Sequence, residues 1–558
     1  MNIGFRNLWS RSSISRLGSA MTSGGVSSPT LGPYAGWTRE RLVKRLMEFD
    51  GPTAGPPQSF MNIPNVPSTS SPITTPAPAP PSKAPEKPFD FSKHSRRKIA
   101  LKFCYSGWEY GGLAYQLGPT ALPPVENVLF DMLVKARLVD PEGGFDGCGW
   151  EKCGRTDRGV SAAGQVVSLW VRSAIPAEEV QQGDDPHIEA DSGEGSIGNE
   201  PGADGLFGLQ DDFGSLAMTT EPSSNTSIPK LNDSKHKEEL DYLVMLNRIL
   251  PDTIRVIAWS PVSESFSARF SCKYRHYKYF FPSTHLDIAK MQAAADRVVG
   301  DHDFRNLCKL DTQKQITNFR RKILRASISP VDEDDGGLGQ MYVFDLVGSA
   351  FLYHQVRHIM AILFLVGSGL EPPSVVTELM NVEEGIEPLR PEDTGKYAVV
   401  DRKPEYQMAD ALPLMLWGCG YDESELSWRA SGRSDDTNGN RDLYNQLENI
   451  HSRSRVFSAL DRHFMKAVEK HHPAPPPIFP LKDGLQDWVR KPEREKTMNV
   501  PLGGGTFKRQ LKYIPLLGRR RLDMVEVKNE RWRLRELRKD GKWSAEDSSL
   551  GREDDGNE

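Results

Sequence analysis

The spacing of apolar positions divides the chain into segments of very different order. Ile99 to Tyr105 (IALKFCY) is dense in strand formers, and Val166 to Val171 reads the same way. Between them Pro123-Pro124 opens a helix whose Val125, Val128, Leu129, Met132 and Leu133 form one apolar stripe. A second helix is expected from Glu238 to Leu250, stopped by Pro251. Tyr274 to Phe281 alternates with a period of two, which puts Arg275, Tyr277, Tyr279 and Phe281 on one face of a strand. A third helix is expected from about Leu286 to Val299, a strand from Met341 to Val347, and a helix from Leu352 to a stop signal at Gly367. Strands and helices alternate without a clean βαβ rhythm. That predicts an α+β fold with largely antiparallel sheet.

Other stretches lack this patterning. A short helical pattern at Thr38 to Phe49 places Leu42, Leu46 and Met47 on one side. In residues 51–90, 12 of 40 residues are proline, and such a segment buries too little apolar surface to offset its ordering entropy. It reads as an extended linker. The Gly/Ser-rich stretch from 178 to about 233 has no periodicity and reads as a disordered insertion within a domain. Beyond about residue 425 order is expected to weaken, through the polar run Ser431 to Arg441 and Pro473 to Pro477.

Composition sharpens this picture. A chain of 558 residues suggests roughly three folded units, and its 38% apolar content, with 41 Pro and 48 Gly, predicts that part of it is not folded. The longest apolar run, Ile359 to Val366, is far short of the ~20 residues of a bilayer span. Six cysteines without paired spacing argue against a disulfide scaffold and for a reducing compartment. A soluble intracellular protein is expected. The net charge of −5 hides a segregation. Residues 178–229 hold 12 acidic residues and no Lys or Arg, whereas residues 508–542 hold 13 Lys/Arg against 5 Asp/Glu. A basic remainder suits a polyanionic partner, although a solvated charged helix has the same signature. The first 39 residues contain Arg6, Arg11, Arg16 and Arg39 and no acid, as in a mitochondrial presequence or a plain polar tail. Met21 could serve as an internal start that omits much of it.

Three segments could carry chemistry. In Gly154-Arg155-Thr156-Asp157-Arg158-Gly159, an Asp between two Arg sits on a glycine-flanked turn before a strand. The guanidiniums would favour its ionised form, suiting a nucleophile or a base, and an ordinary turn aspartate has the same surroundings. The strand YRHYKYFF interleaves aromatic and basic residues, which can stack a base and hold phosphate or can simply be a core strand with a solvated face. In FLYHQVRHIM (351–360), His354 and His358 are four apart, yet Gln355 stands where a zinc protease needs Glu, and no further ligands follow at metal-site spacing. Arg357, on the polar side of that helix, could be aimed at a carboxylate as a bidentate partner. Together these residues suggest chemistry on a nucleotide.

At these same residues the chain resembles the TruA family of tRNA pseudouridine synthases. GRTDRGVSAAGQVVSL (154–169) is similar to the family's GRTDxGVxAxGQV motif, FSARFSCKYRHYKYFF (266–281) to its FxARFxAxxRxYxY segment, and GSAFLYHQVRHIMAILFLVG (348–367) to its xxAFLxHQVRxxVG helix. The coverage runs from about Lys98 to Tyr421, without the 178–233 segment. HDFRNLCKLD (302–311), NFRRKIL (318–324) and DRKPEYQMADALPL (401–414) look most like the eukaryotic branch acting on tRNA uridines 38 and 39.

The resemblance implies two α+β halves on a continuous, mostly antiparallel sheet around a basic cleft. It implies residues 1–95 as tail and linker, 96–177 and 234–260 as the first half around the 178–233 insertion, 261–425 as the second half, and 426–558 as an extension. Asp157 matches the catalytic aspartate, Tyr277 the tyrosine that stacks on the target uracil, Arg357 the partner of the aspartate, and Arg155 a residue thought to assist base extrusion. Arg158 departs from the Ala of bacterial members, as is usual in eukaryotic branches. The implied reaction breaks a C–N glycosidic bond, turns the uracil and joins C5 to the same C1′. A carboxylate can trap or stabilise the electron-poor sugar, or take a proton from it. The Tyr277 hydroxyl could help remove the C5 proton. No cofactor, metal or membrane is implied; the partners are the tRNA anticodon stem-loop and a second copy in a homodimer. The rival readings are a related synthase with other RNA targets and a non-catalytic tRNA-binding protein. The stretch 518–539 (GRRRLDMVEVKNERWRLRELRK) would track tRNA backbone outside the cleft. Nucleus and cytoplasm are the expected location, with a mitochondrial pool if the amino-terminal tail is a presequence.

Overall fold

The computed structural model describes residues 89–176, 238–331, 340–430, 437–474, 477–482, 484–486 and 497–539. The pattern at Thr38 to Phe49, the proline-rich stretch up to residue 88 and the acidic segment lie outside the described residues. Residues 89–95 carry one short 3-10 turn, Phe91–Lys93, capped by Asp90.

The core is one sheet of nine strands. These are β1 (Arg96–Tyr105), β2 (Glu151–Lys152), β3 (Ser161–Arg172), β4 (Ile254–Pro261), β5 (Tyr274–Pro282), β6 (Gly300–Asp303), β7 (Arg320–Pro330), β8 (Met341–Gly348) and β9 (Leu414–Gly420). Their order is β4-β1-β3-β9-β5-β8-β7-β6, with β2 paired to β3. Neighbours run antiparallel except β3 and β9, which run parallel through Ser161 with Met415 and Ala162 with Leu416. Two antiparallel halves therefore meet at one short parallel seam. This is the α+β arrangement, two halves on one continuous and mostly antiparallel sheet, that the sequence leads one to expect.

Each half buries its sheet under helices whose apolar faces are the patterned ones. The Val125–Lys135 helix turns Val125, Leu129 and Leu133 inward. It also buries Glu126, whose carboxylate accepts from Trp150 Nε1 at 2.8 Å, Tyr115 N at 2.7 Å and Lys152 Nζ at 2.5 Å. In the second half the Gln355–Gly367 helix lies on the face of β5 that carries Tyr279 and Phe281, with Phe364 6.0 Å and 5.8 Å from those rings. Gly367 lets the Ile288–Ala295 helix come close, since a Cβ there would lie 2.6 Å from Met291 Sδ.

Three helices are shorter than their periodicity predicts, and caps explain where two of them begin. The helix expected from Glu238 is Tyr242–Asn247, because Asp241 caps Val244 N while Glu239 binds Arg97, Ser173 and Ala174 N. The one expected from Leu286 is Ile288–Ala295, capped by Asp287 on Lys290 N and continued by a 3-10 turn. The one expected from Leu352 starts at Gln355, because His354 has a left-handed backbone (φ 59°, ψ 11°).

The carboxy-terminal segment corrects the expectation that order weakens past residue 425. Thr437–Glu469 is a helix of 33 residues, β10 (Met498–Gly503) and β11 (Thr506–Gln510) form a hairpin, and Val525–Lys539 is a helix. Met498, Val500 and Leu502 alternate into the core, and Tyr513 and Leu516 follow them. Glu371 fastens this strap, accepting from Tyr513 Oη at 2.5 Å and Leu516 N at 2.7 Å. All six cysteines are free thiols. No helix among the described residues is long and apolar enough to cross a membrane.

If the strap is part of the core, Leu516→Ala should cost about 2–5 kcal/mol, the range for truncating a buried leucine. Denaturant unfolding monitored by tryptophan fluorescence measures this; a change under about 0.5 kcal/mol would show that the strap is only an appendage.

Candidate active site

The 154–160 turn leads directly into β3 at the seam. Its backbone is held on several sides. Thr156 is buried, with Oγ1 2.6 Å from Tyr105 Oη, and its carbonyl accepts from Leu113 N at 3.2 Å. Gln165 Nε2 donates to Gly154 O at 2.9 Å, and Val160 N to Asp157 O at 3.1 Å. Gly112, at φ 108°, lies against this turn, where a Cβ would come 3.1 Å from Thr156 O. Asp157 is thereby fixed at the main chain while its side chain remains 24% exposed.

The first turn of the Gln355–Gly367 helix faces this carboxylate. Arg357 Nη1 lies 3.7 Å from Asp157 Oδ2. The guanidinium is braced by donating Nε to Ala409 O at 2.8 Å, and Ala409 N donates back to Arg357 O at 3.1 Å. His354 comes closer than Arg357, with Nε2 3.2 Å from the same Oδ2. The two histidines that suggested a metal pair thus have separate surroundings. His358 is buried with Nε2 3.3 Å from Lys403 Nζ, and burial, with the Lys403 ammonium and the Arg357 guanidinium nearby, pushes its imidazole well below the ordinary range.

Tyr277 sits two strands from the start of β3. Its Cα partner on β9 is Leu416, which in turn partners Ala162. Its ring meets Phe351 edge to face at 5.1 Å. Burial, helped by the Cys419 and Cys153 thiols, raises its phenol above the ordinary range, so the hydroxyl is protonated in the resting enzyme. Arg155 is exposed and has no protein partner among the described residues. Asp157, Arg357 and Tyr277 are therefore brought together, and Arg155 stands at the rim.

Two residues have tasks that the sequence alone did not reveal. Arg275, expected among charges that hold phosphate, instead donates to three main-chain carbonyls: Ser349 at 2.9 Å, Cys153 at 3.0 Å and Arg269 at 3.1 Å. The neighbouring His276 and Lys278 are likewise engaged, by Asp345. His354 is the other, and its signal was the histidine before the helical arginine, read there only for metal spacing. A cavity beside the site, lined by Arg305, Lys309, Arg402, Lys403 and Lys528 among others, adds positive charge where the core meets the strap.

A carboxylate beside basic side chains, with an aromatic ring two strands away across the seam, is the arrangement the family resemblance implies for an enzyme that isomerises a base within RNA. Comparison with known proteins makes this specific. A family model described as tRNA pseudouridine synthase matches residues 294–422. The tRNA pseudouridine(38/39) synthase of Saccharomyces cerevisiae is 38% identical over 398 residues, 71% of this chain and 73% of that protein. Those of Homo sapiens and Bos taurus are 35% and 39% identical, over 72% and 62% of this chain. The chain spans 70% of the human protein and 59% of the bovine one. The chain belongs to the TruA-type family of tRNA pseudouridine synthases.

Because Arg275 ties both flanks of the site to β5, Arg275→Met should destabilise the fold by about 3 kcal/mol, the scale of buried carbonyls losing a charged donor. It should also lower the single-turnover rate at least about tenfold through misplacement of catalytic groups. Thermal unfolding and rate measurements check both; an unchanged rate would show that the clamp does not position the site.

Proposed function

We propose that this protein isomerises uridine to pseudouridine at positions 38 and 39 of the tRNA anticodon stem-loop, with Asp157 as the nucleophile. The observation that carries the reading is the Asp157 carboxylate held beside His354 and Arg357 at the end of the seam that Tyr277 faces through Leu416 and Ala162. The positions follow from the printed names of its relatives.

The target uridine must leave its stack, at a cost of a few kcal/mol. Tyr277 offers its ring to the flipped uracil, and the exposed Arg155 stands at the mouth to keep the base out of the helix. The C1′–N1 bond breaks with its electron pair leaving on N1, while an Asp157 oxygen forms a bond to C1′. The uracil turns, its C5 attacks C1′, and the carboxylate leaves with the pair it gave. Loss of the C5 proton restores the C5=C6 bond, and N1 takes up a proton. Atoms and charge balance within the substrate, so no redox partner or cofactor is required. Arg357 compensates the carboxylate charge before attack and after release. The basic cavity, the exposed Lys508 and Arg509 of the hairpin and Lys512 just after it supply cations for the tRNA backbone. The net-basic stretches of the sequence suit work on tRNA in nucleus and cytoplasm.

The homodimer that the family resemblance implies has a candidate seam in the Thr437–Glu469 helix. Phe457, Leu460, Phe464 and Val468 are all exposed on it, at the three-to-four-residue spacing of a helix pair. The stripe extends ~17 Å, three turns against which a second copy of the same helix can lie.

Incubating the protein with unmodified tRNA and mapping pseudouridine by carbodiimide-stop sequencing should give product at 38 and 39, and none with Asp157→Asn. Product elsewhere would assign other target uridines; tRNA binding without product would make this a non-catalytic binder. The double variant Phe457→Glu/Phe464→Glu should sediment as a monomer where the parent sediments as a dimer. A monomeric parent would remove the seam.

A further inference from the structure

We propose that His354 is a positioning residue for Asp157: it holds Oδ2, so that Oδ1 is the oxygen presented to C1′ of the flipped uridine. This rests on the reading of Asp157 as nucleophile and assigns the residue and atom that orient it.

Three observations converge. The first is geometric. Both basic side chains that reach Asp157 address Oδ2, and the His354 imidazole at 3.2 Å is nearer to it than the Arg357 guanidinium at 3.7 Å. Arg357 supplies charge from a braced position, and His354 is the side chain placed to close a hydrogen bond on Oδ2 once substrate tightens the site.

The second concerns the tautomer. His354 Nδ1 is buried without a hydrogen-bond partner. A buried N–H without an acceptor is rarer and costlier than a buried lone pair without a donor. The proton is therefore placed on Nε2, the nitrogen that faces Asp157 Oδ2. A donor at this nitrogen leaves Oδ1 free.

The third is the backbone. His354 adopts φ 59° and ψ 11°, a conformation that costs an L-residue about 1 kcal/mol. The side chain is 7% exposed and its ring lies 3.7 Å from that of Tyr353. The adjoining Gln355 secures the turn, its Oε1 accepting from Leu352 N at 2.8 Å. A glycine or asparagine would relieve the strain at this N-cap position without harming the helix. Neither would put an imidazole on Oδ2, and that contact is what the strained turn achieves.

The orientation has a chemical consequence. A carboxylate free to rotate about its last torsion spends part of its time with neither oxygen aligned on C1′. Tying one oxygen down converts the other into a near-attack nucleophile. When the carboxylate leaves C1′ in the second half of the reaction, the same Nε2–H stabilises the returning charge.

The test uses His354→Gly, chosen because glycine accepts the left-handed backbone, and His354→Asn, which also tolerates it and keeps a shorter amide donor. His354→Gly should bind tRNA as the parent does and unfold cooperatively, while its single-turnover rate falls about 10–100-fold. Imidazole added to the buffer should restore part of that rate by occupying the vacated space, and His354→Asn should fall between the two. A His354→Gly rate within about twofold of the parent would overturn the inference. A loss that imidazole does not restore, and that follows weakened tRNA binding or unfolding, would also overturn it, by making the role structural. Asp157→Asn run in parallel separates the two claims. If it still forms product, the reading of Asp157 fails; if it is inactive while His354→Gly is normal, only the positioning role fails.

Discussion

Arg275 is the constraint on which the geometry of the site depends. Its guanidinium joins three main-chain segments that are distant in sequence: the start of the Asp157 turn at Cys153, the loop at Arg269, and the lead-in to the Arg357 helix at Ser349. Cys153 belongs to one half of the sheet and Ser349 to the other. The parallel seam between β3 and β9 is only a few residues long, so backbone pairing alone fixes the halves weakly there. A planar donor with several N–H groups can serve three carbonyls at once, which lysine cannot. The clamp sits two residues from Tyr277 on the same face of β5, so one strand both registers the halves and carries the aromatic platform.

The electrostatics of the site follow from that frame. Asp157 is a carboxylate approached by His354 and Arg357, with Lys309 and Lys403 near His358 one helical turn further along. Excess positive charge would draw in phosphate non-specifically and would also tempt nearby bases to compete for protons. Burial removes that hazard by keeping His358 neutral and Tyr277 protonated. What remains is a carboxylate surrounded by donors. A protonated Tyr277 enters the reaction as a hydrogen-bond donor and ring platform. For its hydroxyl to take the C5 proton, its own proton must first pass to another acceptor.

Much of this was legible in the sequence, and the exceptions share a cause. The strand Tyr274–Pro282 was readable because alternation with period two is a local property, and the face it assigned to Arg275, Tyr277, Tyr279 and Phe281 is the one that meets the Gln355–Gly367 helix. The start of that helix was misplaced by three residues, because a left-handed His354 is imposed by tertiary contacts and leaves no mark on periodicity. Arg275 carried the right signal for the wrong partner: a cation among aromatics on a strand looks the same whether it awaits phosphate or binds carbonyls. The carboxy-terminal strap was missed because its core residues, Met498, Val500, Leu502, Tyr513 and Leu516, are interrupted by glycines and the basic stretch from Lys508 to Lys512. Only the first three alternate, which is too few for a period, and only burial gives the set away.

That strap is joined to the catalytic residues by a short chain of hydrogen bonds. Leu502 O on β10 accepts from Asp410 N at 2.7 Å. The residue before Asp410 is Ala409, whose carbonyl holds Arg357 Nε and whose N–H returns to Arg357 O. Tyr279 Oη reaches both Asp410 O and Leu502 O, closing the link back onto β5. A strand far outside the three family motifs thus fixes the segment that braces the arginine facing Asp157. Loosening β10 would leave every catalytic side chain in the sequence and still let Arg357 drift, because its guanidinium is held at one nitrogen by a carbonyl whose own position depends on Leu502. The extension is in this sense part of the active-site wall, and the boundary between catalytic domain and carboxy-terminal appendage, clear in the motif pattern, has no counterpart in the hydrogen bonding.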